Sequence, residues 1–263
     1  MRSNQTYVKP KKFLGQHFLK DLSVAQRIAE TLPLTEKTAV LEIGPGTGVL
    51  TQFLLQNPNI DLTVVELDRE SVPYLRTHFP ALENRIIEGD FLKLDLSAVF
   101  KEKFFIIGNY PYNISSQIFF KLLDYREQVP CLTGMIQKEV AERIAAPHGS
   151  KTYGILSVLL QAYYNVEYLF TVDERVFDPP PKVKSAVVRL TRNEVEKIDC
   201  DEVLFKTVVK TAFNQRRKTL RNSLKSLIDK DNEISRKAIF DKRPEQLSVA
   251  QFIELTNIIR SNV

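Results

Sequence analysis

Four consecutive residues, Asn109-Tyr110-Pro111-Tyr112, combine an amide, a fixed backbone bend and two aromatic rings directly after the apolar run FFIIG. An exocyclic amine on a heteroaromatic ring is a poor nucleophile, because its lone pair is delocalised into the ring. Attack is helped when two acceptors hold its N–H groups while the nitrogen becomes tetrahedral. The Asn109 side-chain oxygen and the Tyr110 carbonyl can be those acceptors, Pro111 sets the backbone direction, and Tyr112 can stack on the base. The arrangement suits methyl transfer to adenine N6. A base inside a helix must first be flipped out, at about a few kcal/mol partly returned by stacking. No strong general base is required, since the product nitrogen is acidic enough to lose its proton to solvent. As an isolated tetrapeptide N-Y-P-Y is an ordinary turn; its place after a strand gives it weight.

A second group of residues supplies the other reactant. The run VLEI enters Gly44-Pro45-Gly46-Thr47-Gly48 and then VLTQFLLQ, the strand, glycine loop and helix order of a nucleotide-binding α/β unit. Gly44 and Gly46 let the backbone come against a ligand. Glu66 follows 22 residues after Gly44, at a strand end, where a carboxylate can accept from both hydroxyls of a ribose. Asp90, in EGDFLKLD, is placed to accept from an adenine amino group. Each carboxylate taken singly reads as a strand-end cap, whereas the ordered series Gly44, Glu66, Asp90 reads as a cofactor site. Val49 stands where the dinucleotide fingerprint needs glycine, while G-x-G-x-G with Glu42 upstream fits S-adenosylmethionine.

These loops need a scaffold that brings them to one edge. Strand-like runs TAVLEI, LTVVEL, RIIE, FFIIGN, CLTGMI, VEYLFTV and SAVVRL are interleaved, over the first five, with helical stretches GVLTQFLLQ, ESVPYLRTHF and ISSQIFFKLLDY. That alternation predicts an α/β fold, a largely parallel sheet with helices on both faces. Ahead of it Asp21 caps a helix with apolar positions Leu22, Ala25, Ile28, Ala29 and Leu32, ended by Pro33. After Leu190 only helical periodicity remains. A boundary at Thr191–Asn193 therefore divides residues 1–191, with a basic arm, from a small all-α domain at 192–263.

The net charge of +5 is unevenly placed. Residues 1–20 hold Arg2, Lys9, Lys11, Lys12 and Lys20 with no acid, and residues 205–228 hold seven basic side chains with none. Two such segments on a near-neutral body point to a polyanionic partner. Helical spacing would put Arg217 and Arg221 on one side of a basic helix, with Arg216 and Lys218 beside them, as phosphate contacts. Cys131 and Cys200 lie far apart, outside any metal-binding spacing, and His17, His78 and His148 sit in separate segments, so no metal is expected. No apolar run approaches a membrane span. A cytoplasmic monomer without membrane attachment is the expectation.

Over almost its whole length the chain resembles the KsgA/RsmA ribosomal-RNA adenine dimethyltransferases. The resemblance is carried by LGQHFL, LEIGPGTGVLT, VVELDRE, EGDFLKLD, GNYPYNISS, QKEVAERI, YGILSV, FDPPPKVKSAVVRL and FNQRRKTLRNSL, the last two being especially specific. It implies an α/β, Rossmann-like S-adenosylmethionine-dependent methyltransferase fold with a small all-α C-terminal domain, S-adenosyl-L-methionine as cofactor and, as partner, 16S rRNA in the small ribosomal subunit or its precursor. The substrate would be two adjacent adenosines of the 3′-terminal hairpin, and the enzyme would have a role in subunit biogenesis. Family cofactor contacts carry over to His17, Leu19, Gly44, Glu66, Asp90 and Asn109, and the target base to Asn109, Pro111, Tyr112 and Phe177. His17 stands where many members have Asn, and Tyr110 where Leu or Pro is common; the Tyr110 contact would use its backbone carbonyl.

Three rival readings share parts of this pattern. The erythromycin-resistance methylases have the same core and N-x-P-Y loop but modify large-subunit rRNA, and the FDPPPKVKSAVV and FNQRRKTLRNSL runs favour the small-subunit enzymes. A mainly non-catalytic ribosome assembly factor would not need an intact N-Y-P-Y and glycine loop. A DNA adenine methyltransferase would carry a larger target-recognition region.

Overall fold

The computed structural model describes residues 8–228 and 233–261; Arg2 of the basic arm lies outside them. All seven expected strands form, and a two-residue pair joins them. In chain order the strands are β1 (Phe18–Leu19), β2 (Thr38–Ile43), β3 (Ile60–Glu66), β4 (Ile86–Glu88), β5 (Phe104–Asn109), β6 (Cys131–Gln137), β7 (Tyr164–Val172), β8 (Phe177–Asp178) and β9 (Ser185–Arg192). The large sheet has the order β4-β3-β2-β5-β6-β9-β7, parallel from β4 through β6 and antiparallel where β9 joins.

This order places the loops. The chain runs outward from β2 to β3 and β4, then returns to lay β5 on the other side of β2. Between β2 and β5 the following connections diverge, which opens a crevice at the carboxyl ends of the strands, where such sheets bind ligands. Ile43 pairs with both Val65 and Gly108, so the segments after β2, β3 and β5 leave the sheet at one level.

Helices α1 (Leu22–Ala29), α2 (Thr51–Leu54), α3 (Ser71–His78), α4 (Leu96–Val99) and α5 (Ser115–Asp124) flank the sheet strands in sequence, followed by α6 (Lys138–Ala145) and α7 (Ile155–Gln161). The start of α1 follows the sequence reading: the Asp21 carboxylate accepts from the N–H groups of Ser23 and Val24, and Val24, Ala25 and Ile28 are buried. Helix α2 is shorter than the stretch expected from the apolar spacing.

The chain divides into two compact units, Met1–Ala141 with Glu167–Thr191, and Glu142–Val166 with Arg192–Val263. The second starts its final segment where the sequence reading places a boundary. It also takes in residues 142–166, which that reading assigns to the first domain. The reason is burial: α7 has Leu156, Val158, Leu159 and Leu160 all buried, and a helix apolar on several sides needs neighbours on several sides. It finds them in α8 (Glu202–Asn214) and, beyond the short α9 (Leu220–Ser223), in α10 (Val249–Arg260). Tyr153 meets Phe213 edge-on at 6.1 Å, and Phe213 stacks on Phe252 at 5.9 Å.

The basic segment departs from expectation. Helix α8 stops at Asn214; Gln215–Lys218 is a turn, and Thr219 has the extended backbone of a helix start. Arg217 and Arg221 therefore do not share a helix face. Arg221 is engaged inside the unit, 2.6 Å from Asp241 and donating to the Ser235 carbonyl, and Arg216 donates to the Ser150 carbonyl. The acid that pairs with Arg221 is 20 residues away, outside the acid-free stretch. Arg217 and Lys218 are exposed.

Candidate active site

The three loops converge on a cavity of about 230 Å³, walled by residues 13–18, Gly44, Gly46, Glu66, Asp90 and residues 109–114. Of the residues singled out from sequence, His17, Gly44, Gly46, Glu66, Asp90, Asn109, Tyr110, Pro111 and Tyr112 line it. Leu19 and Phe177 do not.

The glycine loop begins where β2 ends. Gly44 has a φ of +66°, and a Cβ added there would meet nothing within 4 Å. The loop therefore turns in a conformation glycine adopts freely and leaves space in front of its backbone. The N–H of Gly46 donates to Glu66 Oε2 at 2.9 Å, tying this loop to the end of β3. Glu66 also accepts the Asp68 N–H on Oε1 at 2.7 Å. The residue is 4 % exposed, and burial pushes its carboxyl pKa up against the opposing pull of these N–H donors. Each carboxylate oxygen keeps lone-pair capacity for a ribose hydroxyl. Beneath the loop, Glu42 accepts from the Thr51 hydroxyl at 2.7 Å, and burial raises its pKa to about 8.

Asp90 caps the short turn Phe91–Lys93 by accepting the Leu92 N–H at 2.9 Å on Oδ1. The other oxygen stays available at the cavity wall. Lys121 on α5 braces this turn, donating to the carbonyls of Leu92 and Leu94 with its ammonium over the Phe91 ring.

At the end of β5 the Asn109 amide nitrogen donates to the His17 carbonyl at 3.2 Å. A carbonyl can only accept, so the amide cannot be turned the other way and Oδ1 is left as the acceptor at the cavity. Tyr110 points the opposite way: its ring is 1 % exposed, its hydroxyl donates to the Thr133 carbonyl at 2.7 Å, and its N–H donates to the Met135 carbonyl. Gly108 and Gly134 make room for that ring; a Cβ on Gly134 would come within 2.6 Å of it. Tyr110 thus offers the cavity its backbone. The half-buried Tyr112 is held by a 2.5 Å hydrogen bond between its hydroxyl and Ser185, with the His17 ring 5.4 Å away and tilted by 30°. His17 Nδ1 donates to the Pro179 carbonyl at 2.7 Å.

Phe177 is placed differently from the expectation that it handles the target base. It is 1 % exposed in the hydrophobic core, because β8 pairs with β1 and side chains alternate along a strand. Phe177 points inward with its partner Leu19, while Asp178 is exposed and Phe18 reaches the cavity. Leu19 lines a small space behind the glycine loop. Several contributors have no local sequence signal, among them Ser185, Thr133, Lys121 and Asp68, since each acts on a residue far along the chain.

Residues 8–261 match the family model described as ribosomal RNA adenine dimethylase. The chain is 69 % identical over 256 residues to the ribosomal RNA small subunit methyltransferase A of Parabacteroides distasonis, covering 97 % of this chain and 96 % of that one. It is 59 % identical to the protein of the same name in Flavobacterium johnsoniae, covering 97 % of each. Among solved structures, a dimethyladenosine transferase from Plasmodium falciparum superposes with a TM-score of 0.76 at 25 % identity, covering 91 % of this chain and 96 % of that one. The 23S rRNA methyltransferase ErmE gives 0.67 at 26 %, covering 91 % and 99 %. A family model spanning nearly the whole chain, together with relatives of this identity, establishes that the chain belongs to the ribosomal RNA adenine dimethylase family and has its S-adenosylmethionine-dependent methyltransferase fold.

Proposed function

We propose that this protein dimethylates N6 of two adjacent adenosines in the 3′-terminal hairpin of 16S rRNA, acting as a cytoplasmic monomer on the small ribosomal subunit or its precursor. The observation that carries the reading is the orientation of Asn109. Its amide nitrogen is committed to the His17 carbonyl, so its oxygen is presented at the cavity as an acceptor for an amine. Beside it the Tyr110 backbone offers a second acceptor, and Tyr112, steadied by Ser185, gives the flipped base a face to stack on.

The bound S-adenosylmethionine supplies an electrophilic methyl group. Glu66 would hold the ribose hydroxyls, the free oxygen of Asp90 the adenine amine, and the open face of Gly44 the close approach of backbone to ligand. Asn109 and the Tyr110 carbonyl then stabilise a nitrogen that becomes tetrahedral during transfer, which is where binding energy accelerates a reaction. The relatives named small subunit methyltransferase A favour 16S over 23S rRNA.

The test is incubation of the protein with methyl-labelled S-adenosylmethionine and small subunits lacking the modification, then digestion and mapping of labelled nucleosides. Label in two neighbouring dimethyladenosines of 16S rRNA is expected. Label confined to 23S rRNA in a parallel incubation would assign the protein to the resistance-type methylases, and binding without label would make it an assembly factor.

A further inference from the structure

One segment touches all three loops of the cavity. The Phe18 ring lies on Gly46, where a Cβ would come 3.1 Å from it. Gly15, with φ of +65°, packs so closely on the side chain of Asn113 that a Cβ would meet its oxygen at 2.6 Å. The His17 carbonyl receives the Asn109 amide. At the other end of the segment, Lys11 Nζ lies 2.5 Å from Asp68 Oδ1 and 3.2 Å from Glu70 Oε1, while Gln16 Nε2 donates to Asp68 Oδ2 at 3.2 Å. Gln16 Oε1 in turn accepts the Lys11 N–H at 2.8 Å, closing residues 11–16 into a small ring of hydrogen bonds.

Asp68 is the joint of this arrangement. Its side chain is 0 % exposed, and its own N–H donates to Glu66 Oε1. A buried carboxylate is costly unless it is paired and hydrogen-bonded. Here Lys11, Gln16 and the Glu70 N–H meet that need, and two of those three belong to the segment that walls the cavity. Exposed ion pairs contribute little, but here the carboxylate is covered by the segment it binds and takes charge-assisted hydrogen bonds from it on both oxygens, so the segment is attached at this point by a network and not by a single pair.

We propose that Asp68 is a positioning residue for the cofactor: it latches residues 11–18 as a strap across the cavity, slows escape of the bound S-adenosyl group, and sets the carboxylate of Glu66 from the same backbone position. The inference rests on reading this cavity as the cofactor site. Phe13, 78 % exposed on the strap, gives a protease a bond that reports whether the strap is in place.

Three full-length variants separate the possibilities, with S-adenosylhomocysteine as the probe: Lys11→Gln, Asp68→Asn and, as control, Glu66→Gln. Stopped-flow displacement gives the dissociation rate, steady-state assays give KM for cofactor against kcat, and chymotryptic cleavage after Phe13 is followed with and without the probe. Lys11→Gln and Asp68→Asn are expected to raise the dissociation rate about tenfold, with KM rising and kcat held within about twofold, since a latch acts on residence and not on the reacting nitrogen. The probe should protect the Phe13 bond in the wild type and no longer in these variants. If Asp68→Asn does not fold, Lys11→Gln, altered at a side chain that still reaches solvent, decides alone. Unchanged dissociation in the folded variants, with or without faster cleavage, overturns the latch. A weakened Glu66→Gln beside an unchanged Lys11→Gln rejects the latch and keeps the site; an unchanged Glu66→Gln rejects the site itself.

Discussion

At the end of β5 one hydrogen bond fixes which way the Asn109 amide faces, and the proposed reaction depends on that orientation. Because its amide nitrogen is held by a carbonyl, Asn109→Ala removes an oriented acceptor and leaves the cavity walls in place. Single-turnover methylation at saturating cofactor should slow by about 10²–10³-fold, the usual effect of deleting a preorganised transition-state contact, while calorimetric cofactor affinity, which loses the tie to the His17 carbonyl, falls far less. Glu66 needs a gentler change. It is buried and satisfies two backbone N–H groups through different oxygens, so alanine would orphan both at about 1–3 kcal/mol each, whereas Glu66→Gln keeps one of the two acceptors and is the informative variant. Glu42 makes stability depend on pH. Its pKa is about 8 when folded and near 4.5 when exposed, because burial disfavours the carboxylate. Between those values the native state binds more protons than the unfolded state, so stability falls as pH rises, by at most ~1.4 kcal/mol per pH unit, and this group adds no slope below or above the window. Glu42→Gln, which keeps an acceptor for the Thr51 hydroxyl, should flatten urea-unfolding stability between pH 5 and 8; an unchanged slope would show that Glu42 is not the group responsible.

At the scale of elements, the acid-free run at 205–228 is two helices with a turn between them, and this redistributes the expected RNA contacts. Arg221 is tied to Asp241 and the Ser235 carbonyl, and Arg216 to the Ser150 carbonyl, which leaves Arg217 and Lys218 on the exposed turn as the residues we expect to meet phosphate. Replacing Arg217 and Lys218 by Gln should lower affinity for the small subunit and flatten its logarithmic salt dependence by about one unit for each lost contact. Arg221→Gln should change the slope less, its charge being already paired. Filter binding across a salt series measures both, and equal effects at 217 and 221 would contradict the distinction. The sequence periodicity also missed the β1–β8 pair. Two residues are too few to show alternation, yet their pairing turns Phe177 and Leu19 toward the core and Phe18 toward the cavity.

For the whole molecule, the interleaving of residues 142–166 with the C-terminal segment has a direct consequence. A chain truncated after Thr191 would keep α7 but lose α8 and α10, uncovering Tyr153 and the buried leucines of α7. That fragment should aggregate or bind a hydrophobic dye, whereas a soluble 1–191 fragment with native circular dichroism and wild-type cofactor affinity would refute the shared packing. The seven strands, the glycine loop, the ordered acids and N-Y-P-Y were legible in the sequence, because each is local: a period of two, a positive-φ glycine, or a motif fused to the end of a strand. That these pieces form one site was also inferable, since an alternating strand and helix pattern leads to a parallel sheet whose loops gather at one edge. What the sequence left open were pairings across distance: Lys11 and Gln16 with Asp68, Asn109 with His17, Tyr112 with Ser185, and Arg221 with Asp241. It likewise could not tell which unit would bury α7. Such contacts depend on where the packed core brings two remote stretches of chain, and neither periodicity nor residue type encodes that separation, so only the tertiary structure decided them.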